Sequence, residues 1–341
     1  MTVITKETIV FLGAGTTAAL IAATTWYQYA KRKNRIPDKW VEIGTVGDLW
    51  IYPLKSGQAM EVEEAECTET GLIYHEENKV SLKDRGLLVY KGDNKEQRNA
   101  KNYPRLLLIT VTAVNEKEIK LEAPDMSPLR IKTLIENPQL VECTLHQGER
   151  QQCVDCGAEA AKWISQYCTE EDFTLRLGLG MRSKRSVNSE PMKSLARVYK
   201  KMKNEDLGIF SDICSYLIFN QASLEDLNKR LPADVSPLNF RPNIVVEGTK
   251  AYVEDDWDWI KIGKDAVFRN VKPCTRCTLI NFDPKTAVPV PERRILKKLQ
   301  EYRLITEERK RKVEGNAPAM GVYAGIRKPG QIKLGDKVYI G

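Results

Sequence analysis

Lys272-Pro273-Cys274-Thr275-Arg276-Cys277 holds the densest chemistry in this sequence: two thiols three residues apart with a guanidinium between them. The apolar run Thr278-Leu279-Ile280-Asn281-Phe282 and the turn pair Asp283-Pro284 follow directly. A nearby Arg favours the thiolate over the thiol, and the thiolate is the form that binds soft metals or acts as a nucleophile. Free Cys is also a common buried small apolar residue, so the spacing alone leaves a metal or redox site and a packing role both open. A second pair, Cys153-Val154-Asp155-Cys156, raises the question of a four-Cys zinc site. Its separation from Cys274 is far longer than a zinc ribbon's, and neither pair sits in a glycine-rich knuckle. The only histidines, His75 and His146, are far from each other and from Cys274 in sequence, which argues against His-rich metal sites and a Cys-His catalytic pair.

A second chemistry is anion binding. In Asn239-Phe240-Arg241-Pro242-Asn243-Ile244-Val245-Val246 an Arg and two Asn flank a Pro at the start of a strand, offering planar donors to an anionic ligand. The plainer reading is a surface Arg on a turn. Lys55-Ser56 and Arg85, in loops, fit the same chemistry. Gly178-Leu179-Gly180, followed by Arg182, Lys184 and Arg185, lacks the third glycine and the helix of a dinucleotide fingerprint, so a strand-ending turn explains it better and no nicotinamide site is expected.

The elements that must position these residues are mostly short strands. Strands are expected over Gly44 to Tyr52, Leu87 to Tyr90, Phe173 to Leu177, Tyr216 to Phe219, Asn243 to Glu247, Trp259 to Ile262, Ala266 to Val271 and Thr278 to Phe282, and over Tyr323 to Ile326, Ile332 to Leu334 and Lys337 to Ile340. Arg105 to Val114 and Glu118 to Glu122 read as a hairpin. Helices are expected over Gly157 to Cys168, over Ser223 to Leu231 with Ser223 as N-cap and Asp226 completing a capping box, and over Pro291 to Tyr302 with Pro in its first turn. Met181 to Asn204, rich in Lys and Arg, reads as a domain-joining loop. The sum is an α+β fold dominated by antiparallel strands, a barrel flanked by helices.

At 341 residues the chain has room for two domains, and its 42% hydrophobic share leaves little for extended disorder. Lys plus Arg exceed Asp plus Glu by 53 − 46 = 7, which favours an acidic partner or a membrane surface and is too small an excess to argue for nucleic acid. Eight cysteines in a chain this long point to a reducing compartment rather than a disulfide framework. Residues 8–30 carry no charge and are followed by Lys31, Arg32, Lys33 and Arg35. As a helix they would span roughly 35 Å, enough to cross a bilayer, with Trp26, Tyr27 and Tyr29 at the interface. A signal anchor with the bulk of the protein in the cytosol is the expectation, the alternatives being a cleaved signal or a buried helix.

Taken together, Leu49-Trp50-Ile51-Tyr52-Pro53-Leu54-Lys55-Ser56, Asp84-Arg85, Asp155-Cys156-Gly157, the Asn239 to Val245 run and Cys274-Thr275-Arg276-Cys277 resemble the MOSC-domain molybdoenzymes, amidoxime-reducing components among them. The resemblance runs in order from about Val41 to Ile340. It implies three segments: an anchor with its basic flank at 1–40, a smaller N-terminal MOSC-associated β-rich domain at 41–180, and the MOSC domain at 181–341. It also implies a Mo-molybdopterin cofactor with Cys277 as the protein's thiolate ligand to molybdenum and as the catalytic residue. Lys55, Ser56, Arg85, Arg241, Thr275 and Arg276 stand at the cofactor-binding positions, Ser211-Asp212 at the start of a cofactor loop, and Asn137 and Tyr323 match more loosely. The implied activity is reduction of N-hydroxylated compounds (amidoximes, hydroxylamines, N-oxides), with electrons from a cytochrome b5 and its NADH-dependent reductase. For that haem protein, Arg182 to Arg185 and Lys200 to Lys203 offer a basic dock. The implied location is the mitochondrial outer membrane, the catalytic part facing the cytosol. The chain departs from the pattern at Ile213-Cys214, where relatives have Thr-Ser, at Gly57, where they have Cys, and at Lys101, where they have Arg. Two other readings stay open: a MOSC-type sulfur or cofactor carrier without N-reductive turnover, although there is no room for the pyridoxal-phosphate domain of the related sulfurases, and a structural zinc protein.

Overall fold

Short strand-forming apolar runs build most of this molecule, and because successive side chains of a strand point to opposite faces, both faces of these strands pack against other elements. The structure, a computed structural model, describes residues 35–145, 148–169, 174–181, 185–291 and 294–341. Residues 8–30 lie outside these, and no described helix is long and apolar enough to cross a membrane.

In chain order the strands are β1 (Val41–Ile51), β2 (Glu64–Thr68), β3 (Gly71–Tyr74), β4 (Leu87–Lys91), β5 (Thr110–Ala113), β6 (Glu118–Glu122), β7 (Leu129–Lys132), β8 (Leu140–Thr144), β9 (Arg150–Asp155) and β10 (Leu175–Gly180). They continue with β11 (Tyr216–Asn220), β12 (Ile244–Glu247), β13 (Trp259–Ile262), β14 (Ala266–Thr275), β15 (Ala319–Lys328), β16 (Gly330–Lys333) and β17 (Lys337–Ile340). The helices are α1 (Ala158–Thr169), α2 (Lys193–Val198), α3 (Gln221–Asn228), α4 (Arg294–Tyr302) and α5 (Glu308–Glu314). This is the expected α+β class.

The largest sheet runs β12-β11-β15-β14-β13-β17-β1 and closes on itself where β1 pairs with β12. Closure joins the two ends of this ring, and the two-residue strand Met60–Glu61 pairs with the end of β1. β1 thus sits between β17 and β12, and residues 40–341 form one compact unit. A β-bulge at Gly44 bends β1 at the seam, where a Cβ would fall 1.9 Å from the Glu247 carbonyl oxygen. Leu49, Ile51, Ile218, Ile244 and Val246 share one core with Ile260, Phe268 and Val322. Their neighbours in the strands, Trp50, Tyr52, Phe219 and Val245, join a second core with Leu224 and Leu227 of α3 and Ile295 and Leu299 of α4. β10, β9, β8 and β4 form a second sheet, β5 to β7 a third, and β16, β2 and β3 a fourth.

Several local expectations are corrected. Pro104 to Leu108 is a 3₁₀ turn rather than strand, with Pro in its first turn and Leu106 and Leu107 buried beneath it. α3 starts at Gln221 because Asn220, whose side chain accepts from the Ala222 N–H at 3.0 Å, is the cap; Ser223 instead donates to Glu254 at 2.7 Å. Thr278 to Asn281 is a 3₁₀ turn rather than a strand. Met181 to Asn204 is no simple linker: Met192, Leu195, Tyr199 and Met202 bury together around α2.

Candidate active site

Two loops are stitched side by side to begin the site. The Lys55 N–H donates to the Leu87 carbonyl at 2.8 Å, the Leu87 N–H to the Pro53 carbonyl at 2.9 Å, and the Arg85 N–H to the Tyr52 carbonyl at 2.7 Å. Ser56 and Arg85 both take the left-handed backbone, φ 68° and 50°, and so does Arg241 at 54°. Three non-glycine residues in that region around one site is the strain expected where geometry serves function. Position 57 has no room: a Cβ there would lie 2.8 Å from the Leu54 Cβ, so the glycine belongs to the tight turn of this loop.

Arg85 and Arg241 stack on Tyr52, their guanidinium carbons 4.7 and 4.2 Å from the ring centroid. The two asparagines of the Asn239 to Asn243 run turn out to hold backbone. Asn243 accepts from Arg85 at 3.2 Å and from the Leu217 N–H at 3.1 Å. Asn239 donates to the carbonyls of Ile280 and Phe282, each at 3.1 Å, and so fixes the turn that follows Cys277. Arg276 donates to Met320 and Phe240 carbonyls, which joins the Cys277 turn to the Arg241 turn.

These elements enclose a cavity of about 270 Å³ whose lining includes Lys55, Ser56, Arg85, Ser211, Asp212, Arg241, Thr275, Arg276, Cys277 and Tyr323. Every residue the sequence nominated except Asn137 is there. Asn137 is exposed on the loop between β7 and β8 and does not line the cavity. Asn99, Lys101, Cys214, Leu279 and Ala317 are also among its lining residues. Among these, Lys101 and Cys214 carried a sequence signal as departures from the pattern; Asn99 and Ala317 carried none.

The two thiols of the pair differ. Cys274 is 1% exposed, whereas Cys277 is exposed at the cavity. Burial pushes the thiol of Cys214 well up, which keeps it protonated. Cys153 packs with Cys143 in a buried apolar cluster, so the second Cys pair is no partner of the first. Among the described residues no three His, Cys, Asp or Glu side chains are grouped to hold a metal ion. A metal here would therefore take most of its ligands from an organic group.

Electrostatics favour an anion. Five cationic side chains, Lys55, Arg85, Lys101, Arg241 and Arg276, line the cavity against one carboxylate, Asp212. Lys55 is 7% exposed and donates to the Phe210 carbonyl at 2.6 Å and to Asp212 at 2.5 Å; burial still holds its pKa below the ordinary value. Burial brings Arg241 down to about 10, and its Nη2 is buried with no hydrogen-bond partner. A buried donor on a charged group without an acceptor is costly, and a phosphate or pterin oxygen would satisfy it. The residues present fit a phosphorylated cofactor.

Residues 43–171 match the MOSC N-terminal beta barrel domain, and residues 208–339 match the MOSC domain. Mitochondrial amidoxime-reducing component 1 of Mus musculus is 35% identical over 96% of this chain and 90% of its own length. The chain belongs to the MOSC-domain family of the amidoxime-reducing components. The Homo sapiens component 1 is also 35% identical, over 96% of this chain and 91% of its own, and the Homo sapiens component 2 is 34% identical over 95% and 91%. The MOSC match begins at Gly208, at the start of the loop that supplies Ser211 to Cys214 to the cavity, and includes β11, β12 and the Cys274 to Cys277 element.

Proposed function

We propose that this chain is a molybdenum-cofactor-dependent reductase of N-hydroxylated compounds such as amidoximes, hydroxylamines and N-oxides. The observation that carries the reading is the single exposed thiol of Cys277 on a cavity that also gathers Lys55, Arg85, Arg241 and Arg276. Its relatives are named for amidoxime reduction, which agrees. Cys277 would be the protein's ligand to molybdenum. Arg241 and Lys55 would hold the phosphate, with Arg85 and Arg276 adding charge while they keep the loops in place. Bound there, the molybdopterin-held metal supplies two-electron removal of oxygen from an N–O bond.

Thr275 does not wait for the cofactor: its hydroxyl donates to Glu314 at 2.7 Å, and Glu314 pairs with the buried Lys272 at 3.0 Å. Its role is to hold the end of β14 that carries the thiol. Electrons would come from a cytochrome b5 and its NADH-dependent reductase. Arg185 cannot help to dock such a partner, because its side chain is 1% exposed; Arg182 and Lys184 lie outside the described residues, which leaves Lys200 and Lys203 as exposed candidates. Residues 8–30 would anchor the enzyme in the mitochondrial outer membrane.

The test is Cys277→Ser in the full chain, reconstituted with a b5 and its reductase. Amidoxime reduction should fall to background and molybdenum per chain should drop with it. Full N-reductive activity in the variant would remove the thiolate from the reaction and the reading with it.

A further inference from the structure

We propose that Arg185 is a positioning residue: held by Glu149, it sets the conformation of the 208–213 loop, the wall of the cavity that faces the cofactor. The inference rests on the function proposed above.

Arg185 and Glu149 have side chains 1% and 2% exposed. Nε and Nη2 of Arg185 donate to one carboxylate oxygen at 2.8 and 2.6 Å. Nη1 donates to the carbonyls of Ser211 at 2.7 Å and Gly208 at 3.1 Å, and reaches that of Ile213 at 3.5 Å. Nη2 also donates to the Asp212 carbonyl at 3.0 Å. One planar fork thus gathers the carbonyls of four residues in a six-residue loop, which a lysine could not do. Because C=O and N–H of a planar peptide point in opposite directions, turning the carbonyls of Ser211, Asp212 and Ile213 onto Arg185 turns the N–H groups of Asp212, Ile213 and Cys214 away from it. Ser211, Asp212, Ile213 and Cys214 line the cavity; Arg185 does not.

The loop's base is held independently. The Asp206 carboxylate pairs with Arg327, and the Ser215 N–H donates to the Asp206 carbonyl at 2.8 Å. Within the loop, the described polar side chains that reach its carbonyls from outside are Arg185 and Lys55, and Lys55 reaches only Phe210. A buried ion pair adds little net stability by itself, so the carbonyl geometry is what distinguishes this pair. It also joins distant segments: Glu149 precedes β9, Arg185 follows β10, and the loop precedes β11.

Two variants test this in the full chain. Arg185→Lys keeps the charge and loses the fork. Arg185→Met with Glu149→Leu removes the pair without stranding a buried charge. Hydrogen exchange, molybdenum and pterin content and Tm are read together. Both variants should show about tenfold or faster exchange confined to amides 208–214, with a several-fold loss of pterin and molybdenum per chain and unchanged exchange in β14 and β15. Unchanged loop exchange overturns the proposal, and so does acceleration spread evenly through the barrel, which marks a role in stability alone. Localised acceleration with cofactor content unchanged overturns it as well. If the unaltered chain carries neither pterin nor molybdenum, the function proposed above fails, while the exchange pattern still decides whether Arg185 sets the loop.

Discussion

Lys55 shows what single residues contribute and what they cost. Folding lowers its pKa from the ordinary value because burial outweighs the help of Asp212. The folded chain therefore binds that proton less tightly than the unfolded chain. Stability of the cofactor-free protein should rise with pH in the window between the lowered value and the ordinary 10.5, and the charge is a net cost at neutral pH. Lys55→Met should raise the Tm of cofactor-free protein while lowering its pterin content several-fold; a lower Tm would show that the bonds to Phe210 and Asp212 outweigh burial. The cationic identity of this residue was legible in the sequence. So were Arg85, Arg241 and Cys277, because their types name their chemistry. What the sequence hid was division of labour: Asn239, Asn243, Thr275 and Arg276 were nominated as ligand donors, yet each spends hydrogen bonds on protein groups. Side-chain type reveals that a donor exists; only the fold decides where it points.

At the scale of elements, α3 and the 3₁₀ turn Val253–Asp256 are joined by Glu254, which is fully buried and accepts from Ser223 at 2.7 Å and Asn220 at 2.8 Å. Burial raises its pKa above the ordinary 4.5 despite those bonds. The folded state then holds the proton more tightly than the unfolded state, so this group's contribution is full below pH 4.5 and is lost as pH rises through the folded value. Glu254→Gln should remove that fall and raise stability at pH 7 by about 1 kcal/mol; a Tm series from pH 4 to 8 checks it, and a destabilised variant at pH 7 would contradict it. β1, β4, β6, β11, β12, β13 and β17 were legible as short apolar, β-branched and aromatic runs bounded by turn residues; β6 alternates as a half-buried strand does, whereas β11 is buried throughout. Thr278 to Phe282 misled because its β-type composition is overridden by Asn239, which binds the carbonyls of Ile280 and Phe282. The helix α2 was missed amid charge, although Met192, Leu195, Tyr199 and Met202 recur at three- and four-residue intervals, a signal a count of apolar spacing would have found.

For the whole molecule, the seam is the decisive feature. β1 pairs with β17 through Val41–Ile340 and Thr45–Lys337, and with β12 through Thr45–Glu247 and Leu49–Ile244. A chain beginning at Trp40 should therefore unfold in one cooperative transition, whereas one beginning at Pro53 should lose that transition and expose apolar surface to a dye such as ANS. Cooperative melting of the shorter chain would show that the barrel closes without its first strand. The seam also fixes an order of events during synthesis. β1 leaves the ribosome early and has to wait for β17, which lies far along the chain, so the barrel cannot seal until residues 337–340 have been made. Loading of any prosthetic group into the finished cavity on this account follows the synthesis of β17.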